Sequence, residues 1–89
     1  MIQKVGDRMK AQEVMERMQR GGSDIVFQYD GLESGVAFDT KDGCYELTAW
    51  NGAWNRTYDS FEDAFTDTAI FREGLMKLID DGRVEVCFE

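Results

Sequence analysis

From Tyr45 to Tyr58 the chain reads Tyr-Glu-Leu-Thr-Ala-Trp-Asn-Gly-Ala-Trp-Asn-Arg-Thr-Tyr, two alternating runs meeting at Asn51-Gly52. An Asn-Gly step between such runs is the strongest short-range hairpin signal, because a tight type I′ turn needs positive φ at both central residues. Pairing Trp50 with Ala53 sets Ala49 opposite Trp54, Leu47 opposite Arg56 and Tyr45 opposite Tyr58. Paired residues share a face of the sheet. Tyr45, Leu47, Trp54 and Tyr58 are therefore expected in a core. The opposite face carries Glu46, Thr48, Trp50, Asn55 and Thr57, which is polar apart from one large aromatic.

The flanking segments have equally plain periodicities. Met9 to Arg20 places Met9, Ala11, Val14, Met15 and Met18 at spacings of three and four, with Gly21-Gly22 behind them, which is an amphipathic helix packing on a sheet. Its polar side sets Glu13 before Arg17 and Glu16 before Arg20, the favourable order for pairs four apart. Residues 1 to 8 read as a flexible extension. Asp24 to Tyr29 and Gly35 to Thr40 alternate as strands, punctuated by Asp30-Gly31 and Lys41-Asp42-Gly43. Matching apolar faces brings Val36 and Phe38 near Leu47 and Tyr45, unless a bulge at Gly43 shifts the register.

After the hairpin, Ser60 followed by Asp63 starts a short helix, and acids in its first turn suit the positive end of the dipole. Glu73 to Asp81 has Leu75, Met76, Leu78 and Ile79 on one side and stops at Gly82. Arg83 to Glu89 alternates Val84, Val86 and Phe88 against Arg83, Glu85 and Cys87, a strand that must join a sheet edge. The order predicts one α+β domain over residues 1–89. It is a two-layer sandwich in which an antiparallel meander of four to five strands carries helices on one face only.

With 89 residues the chain has room for a single core. No apolar run approaches the length needed to span a membrane, and the N-terminus lacks the apolar centre of a signal peptide. The expected location is the cytoplasm. Cys44 and Cys87 stand far apart with no histidine to complete a zinc site, and they read as free thiols packed inertly, with a disulfide or redox pair as the alternative.

Charge is the unusual bulk property, at 18 acidic and 10 basic residues, a net −8. Residues 1–20 hold five basic against three acidic side chains, while the remaining 69 hold five against fifteen, a balance of −10. Such a field repels phosphates, so direct nucleic-acid binding is not expected. Attraction to a basic protein surface, including one that holds nucleic acid, is permitted.

Catalytic chemistry has little to stand on, because the commonest general base and metal ligand is missing: the chain has no histidine. Carboxylate pairs exist at Asp63 with Asp67, Asp80 with Asp81, and Asp39 with Asp42, each with an ordinary explanation in a helix end or turn. Asp80-Asp81 opposes the helix dipole, and Arg83 or solvent is expected to offset it. No phosphate-cradling glycine loop and no calcium loop appear, so no cofactor or metal is expected.

Met-Lys-Ala-Gln-Glu-Val-Met-Glu at 9 to 16, Asp-Ile-Val-Phe-Gln-Tyr-Asp-Gly at 24 to 31 and Ser-Phe-Glu-Asp-Ala-Phe at 60 to 65 give the chain a layout that resembles small uncharacterised proteins of Gram-positive bacteria and their prophages. The resemblance implies a cytoplasmic, mobile-element origin and transfers no functional residues. In size, acidity and helix-sheet-helix order the chain also resembles phage inhibitors that imitate nucleic acid.

The expected function is a non-enzymatic interaction module that binds another protein or itself through the open sheet face and the last hairpin strand. Trp50 is the expected anchor, with Glu46, Thr48 and Asn55 around it and Glu85 completing an acidic rim if the last strand lies nearby. The competing reading folds Trp50 over its own hairpin. An acidic decoy for a nucleic-acid-binding surface is the alternative function, and a carboxylate-based enzyme a remote one.

Overall fold

The structure, a computed structural model, describes residues 9–89, so the expected extension at 1–8 lies outside the described residues. The elements are α1 (Ala11–Gly21), β1 (Ile25–Tyr29), β2 (Leu32–Lys41), β3 (Cys44–Asn51), β4 (Trp54–Tyr58), α2 (Phe61–Thr66), α3 (Leu75–Asp80) and β5 (Cys87–Phe88). The five strands form one antiparallel sheet in the order β4-β3-β2-β1-β5. No helix among the described residues is long and apolar enough to cross a membrane.

Three two-residue hairpins build the meander. Asp30 and Gly31 at φ 57 and 77, and Asp42 and Gly43 at 53 and 81, have the paired positive φ of type I′ turns, whose twist matches the flanking strands. The third differs from expectation. Asn51 pairs with Trp54, so the loop is Gly52-Ala53, and Gly52 at φ 61 takes the first central position as in a type II′ turn. The register thus slides by two: Ala49 faces Arg56 and Leu47 faces Tyr58. A slide by two keeps every residue on its expected face. On the other side of β3, Val36 faces Ala49 and Phe38 faces Leu47, with no bulge at Gly43 because Lys41 pairs directly with Cys44.

The helices cover one face, where they bury Val14 and Met18 of α1, Phe61, Ala64 and Phe65 of α2, and Leu75, Leu78 and Ile79 of α3. These side chains pack against Ile25, Phe27, Val36, Leu47, Ala49 and Tyr58 of the sheet. Each large apolar side chain so buried contributes about 1.5–3 kcal/mol. Helix ends are closed from a distance as well as locally. Ser60 Oγ accepts from Asp63 N at 3.1 Å as expected, whereas the first amide of α1, Ala11 N, donates to Asp80 Oδ1 at 2.8 Å. Asp80 therefore offsets its poor place at the end of α3 by capping α1. Asp81 pairs with Lys77, and Arg83, expected beside the two aspartates, instead forms a two-point ion pair with Glu73.

Other expected pairings also give way to different partners, two local and one distant. Glu13 Oε1 accepts from Lys10 N, Glu16 accepts from Gln12, and the Arg17 guanidinium lies 4.5 Å from the centre of the Phe88 ring. The last strand is shorter than its alternation suggests. Only Cys87–Phe88 pairs with β1, fixed by Glu89 N donating to Asp24 O, while Val84 and Val86 pack against the core without joining the ladder. α3 begins after Gly74 rather than at Glu73, since both residues have positive φ, 70 and 84, outside the right-handed helix. Both cysteines are free and exposed, so neither packs inside.

Candidate functional site

The face of the sheet away from the helices carries Glu33, Gly35, Ala37 and Asp39 of β2 and Glu46, Thr48 and Trp50 of β3. Asn55 and Thr57 of β4 and Val26 of β1 lie on the same side. Asn55, Trp50, Gly35, Val26 and Cys87 fall in one row across all five strands. Trp50 is on the expected face but is half-buried by its own chain. A Cβ placed on Gly35 would come within 2.5 Å of the indole ring and 2.2 Å of Ile25 O, so the ring lies flat over a glycine that leaves it room. Gly35 and Trp50 form a fitted cross-strand pair.

Of the other residues expected around Trp50, Asn55 faces it directly, Thr48 lies two positions along β3, and Glu46 sits at the far end of that strand. Glu85 is elsewhere. It precedes β5 at the opposite edge, three strand spacings of about 4.8 Å from β3, so it forms no rim with Glu46. Glu46 instead faces Asp39, two like charges directly opposed on a face that no element among the described residues covers.

The other tryptophan reverses the expected roles. Trp54, expected in the core, is 66% exposed. It shares the helix-side face with Tyr58, but α2, the helix that follows β4, begins only after Tyr58, and four residues of strand carry Trp54 about 13 Å beyond it. β4 is also a sheet edge, and among the described residues nothing pairs with its outer side. In a two-residue hairpin the closing pair is hydrogen-bonded, and bonded and non-bonded pairs alternate along the ladder. Trp54, Arg56 and Tyr58 thus bond inward to β3, and Asn55 and Thr57 turn their N–H and C=O groups outward.

At the end of β4 the edge opens into a cleft of ≈ 570 Å³. Tyr45, Glu46, Arg56, Tyr58, Asp59, Asp63 and Asp67 are among its lining residues. It exists because β4 pairs only as far as Leu47, leaving Tyr45 and Glu46 of β3 uncovered where the chain crosses to α2. Asp67 organises its floor, accepting from Tyr58 Oη at 2.9 Å and lying 3.3 Å from Arg56 Nε. Burial, with the Asp67 hydrogen bond second, pushes the Tyr58 hydroxyl up to about 12, and the same hydrogen bond holds Asp67 below the usual carboxylate range. Among the described residues Glu46, Asp59 and Asp63 have no ion-pair partner.

The candidate carboxylates thus fall into separate places: Asp63 and Asp67 share the cleft, Asp80 caps α1, Asp42 sits in a turn and Asp39 faces Glu46. No group of three metal-ligating side chains occurs among the described residues. Comparison with family models, with curated proteins and with solved structures found no match to this chain. Trp54, Asp59 and the outward amides were missed from the sequence. The available signal was topological, since a hairpin followed at once by a helix covers the helix-proximal end of its last strand and not the turn-proximal end.

Proposed function

We propose that the chain is a cytoplasmic, non-enzymatic interaction module. It binds another protein, or itself, by strand addition at the outer edge of β4, with Trp54 as the apolar anchor and the open face at Thr48, Trp50 and Asn55 beside it. What carries the reading is an edge strand of five residues without proline or bulge, whose one charged side chain, Arg56, is held by Asp67, and which bears a largely exposed tryptophan. At the far edge β5 is two residues long, and a very short edge strand is itself a guard against further pairing. Trp54 rather than Trp50 is the anchor, since the Trp50 ring already has Gly35 as its partner.

Selection of binders from a library of extended peptides tests this. Binders should be lost with Thr57→Pro, which removes an outward amide at a position where an edge strand tolerates proline. They should weaken with Trp54→Ala and slow hydrogen exchange at Asn55 and Thr57. Binders indifferent to both substitutions, with the fold intact by circular dichroism, would refute the proposal. The acidic-decoy reading is favoured by the opposed pair Asp39 and Glu46. It expects competition with DNA or RNA for a shared protein and steep loss of binding with salt.

A further inference from the structure

We propose that the strand accepted by β4 is a basic amphipathic one, with lysine or arginine at alternate positions facing the carboxylates of the open side and apolar residues between them facing Trp54. This rests on reading β4 as a docking edge and adds the chemistry of the occupant. A strand laid along β4 continues the pleat, so its side chains alternate between the Trp54 and Tyr58 side and the side of Thr57. On the latter side, at the end of β4, lie Glu46 and beyond it Asp39, with Asp59 following the strand, and Glu46 and Asp59 line the cleft. Against them stands one cation of the cleft, Arg56, already engaged by Asp67.

Charge complementarity therefore selects the occupant. The net charge of −8 disfavours a second copy of the chain, and a β4-to-β4 pairing centred on Arg56 would oppose two guanidinium groups directly. Nor would an acidic or neutral strand relieve the opposed Asp39 and Glu46. A basic strand places its cations beside Asp59 and towards Glu46, with Asp39 one strand further in adding to the field, while its alternate apolar residues cover the exposed indole. Its backbone meets the outward groups of Asn55 and Thr57, so the three kinds of contact are made at once.

The test uses a short blocked peptide alternating lysine with valine, the same peptide with glutamine or glutamate for lysine, and the lysine peptide N-methylated at every amide. Calorimetry on the full chain should show the lysine peptide binding at least ~10-fold more tightly than the glutamine one, with the gap closing as salt screens the carboxylates. The double variant Glu46→Gln with Asp59→Asn should weaken the lysine peptide towards the glutamine value and leave the glutamine peptide unmoved. Protection at Asn55 and Thr57 should appear with the lysine peptide, and the N-methylated peptide should not bind.

Equal affinity of the lysine and glutamine peptides would overturn the basic occupant while leaving strand addition standing. Undiminished binding of the N-methylated peptide would overturn strand addition itself. If neither peptide binds, the basic occupant is wrong. A dimeric molar mass with Asn55 and Thr57 protected before any peptide is added would assign the edge to a second copy of the chain.

Discussion

Asn51 and Trp50 show how adjacent residues can share a sequence signal and carry different physical roles. Asn51 was expected to supply positive φ to the turn, yet it is a strand residue whose Nδ2 donates to Ser34 Oγ at 2.7 Å and to Tyr29 O at 3.1 Å. Ser34 is fully buried and its hydroxyl donates in turn to Leu32 O, so Asn51 ties the tip of the β3–β4 hairpin to the tip of the β1–β2 hairpin. Asn51→Ala should destabilise the fold by about 1–3 kcal/mol, because a part-buried acceptor and hydroxyl lose their partner. Asn51→Gly separates the roles: a turn residue would tolerate it, whereas loss of the tie costs as much as alanine. Urea denaturation of the three proteins decides. The dipeptide announced a hairpin correctly, but the tie depends on Ser34 and Tyr29, residues distant in sequence that no local pattern connects to Asn51.

At the scale of elements, the fold was legible wherever local periodicity and core burial agree. α1, the meander order and the helix start at Ser60 follow from spacing alone, and the two-layer arrangement follows from their order. Ends and edges were less legible because distant groups settle them. Asp80, poorly placed in its own helix, caps another, so Asp80→Ala should cost about 1 kcal/mol. Asp81→Ala, which loses only a half-exposed pair with Lys77, should cost no more than a few tenths of a kcal/mol. Thermal melts of both variants measure the contrast.

The join of β4 to α2 is pH-dependent for a similar reason. Unfolded, Tyr58 loses its proton near the ordinary 10.0, whereas folded it keeps it to about 12. Between those values the unfolded chain binds fewer protons, so stability falls as pH rises. Asp67 has the opposite shift, and its contribution is lost as pH falls through its lowered value. Tyr58→Phe removes the buried titrating hydroxyl and, with it, the hydrogen bond that lowers Asp67. The stability gap between the natural chain and this variant should be widest around neutral pH and narrow at both extremes, as denaturation across the pH range will show.

For the molecule as a whole, the acidic excess was legible and its location was not. A count of charges cannot show that Asp39 faces Glu46, because that depends on the register of β2 against β3, nor that β5 takes Glu85 to the opposite edge. Once the register is known, the charge becomes a statement about stability. Opposed carboxylates that have no ion-pair partner among the described residues destabilise the bare fold, and a net charge of −8 adds self-repulsion to it. Raising salt within the screening range should therefore raise the melting temperature rather than lower it. Asp39→Lys, which turns repulsion across the strands into attraction, should stabilise the chain by about 0.2–1 kcal/mol and blunt the salt response. The same substitution gives Glu46, the β3 carboxylate nearest the proposed basic strand, a cation of its own. Asp39→Lys should thus be more stable and bind the lysine peptide less well, the trade expected when a surface is held away from its stability optimum for the sake of a partner. If the variant gains no stability, or gains it with lysine-peptide affinity intact, the opposed pair has no part in recognition.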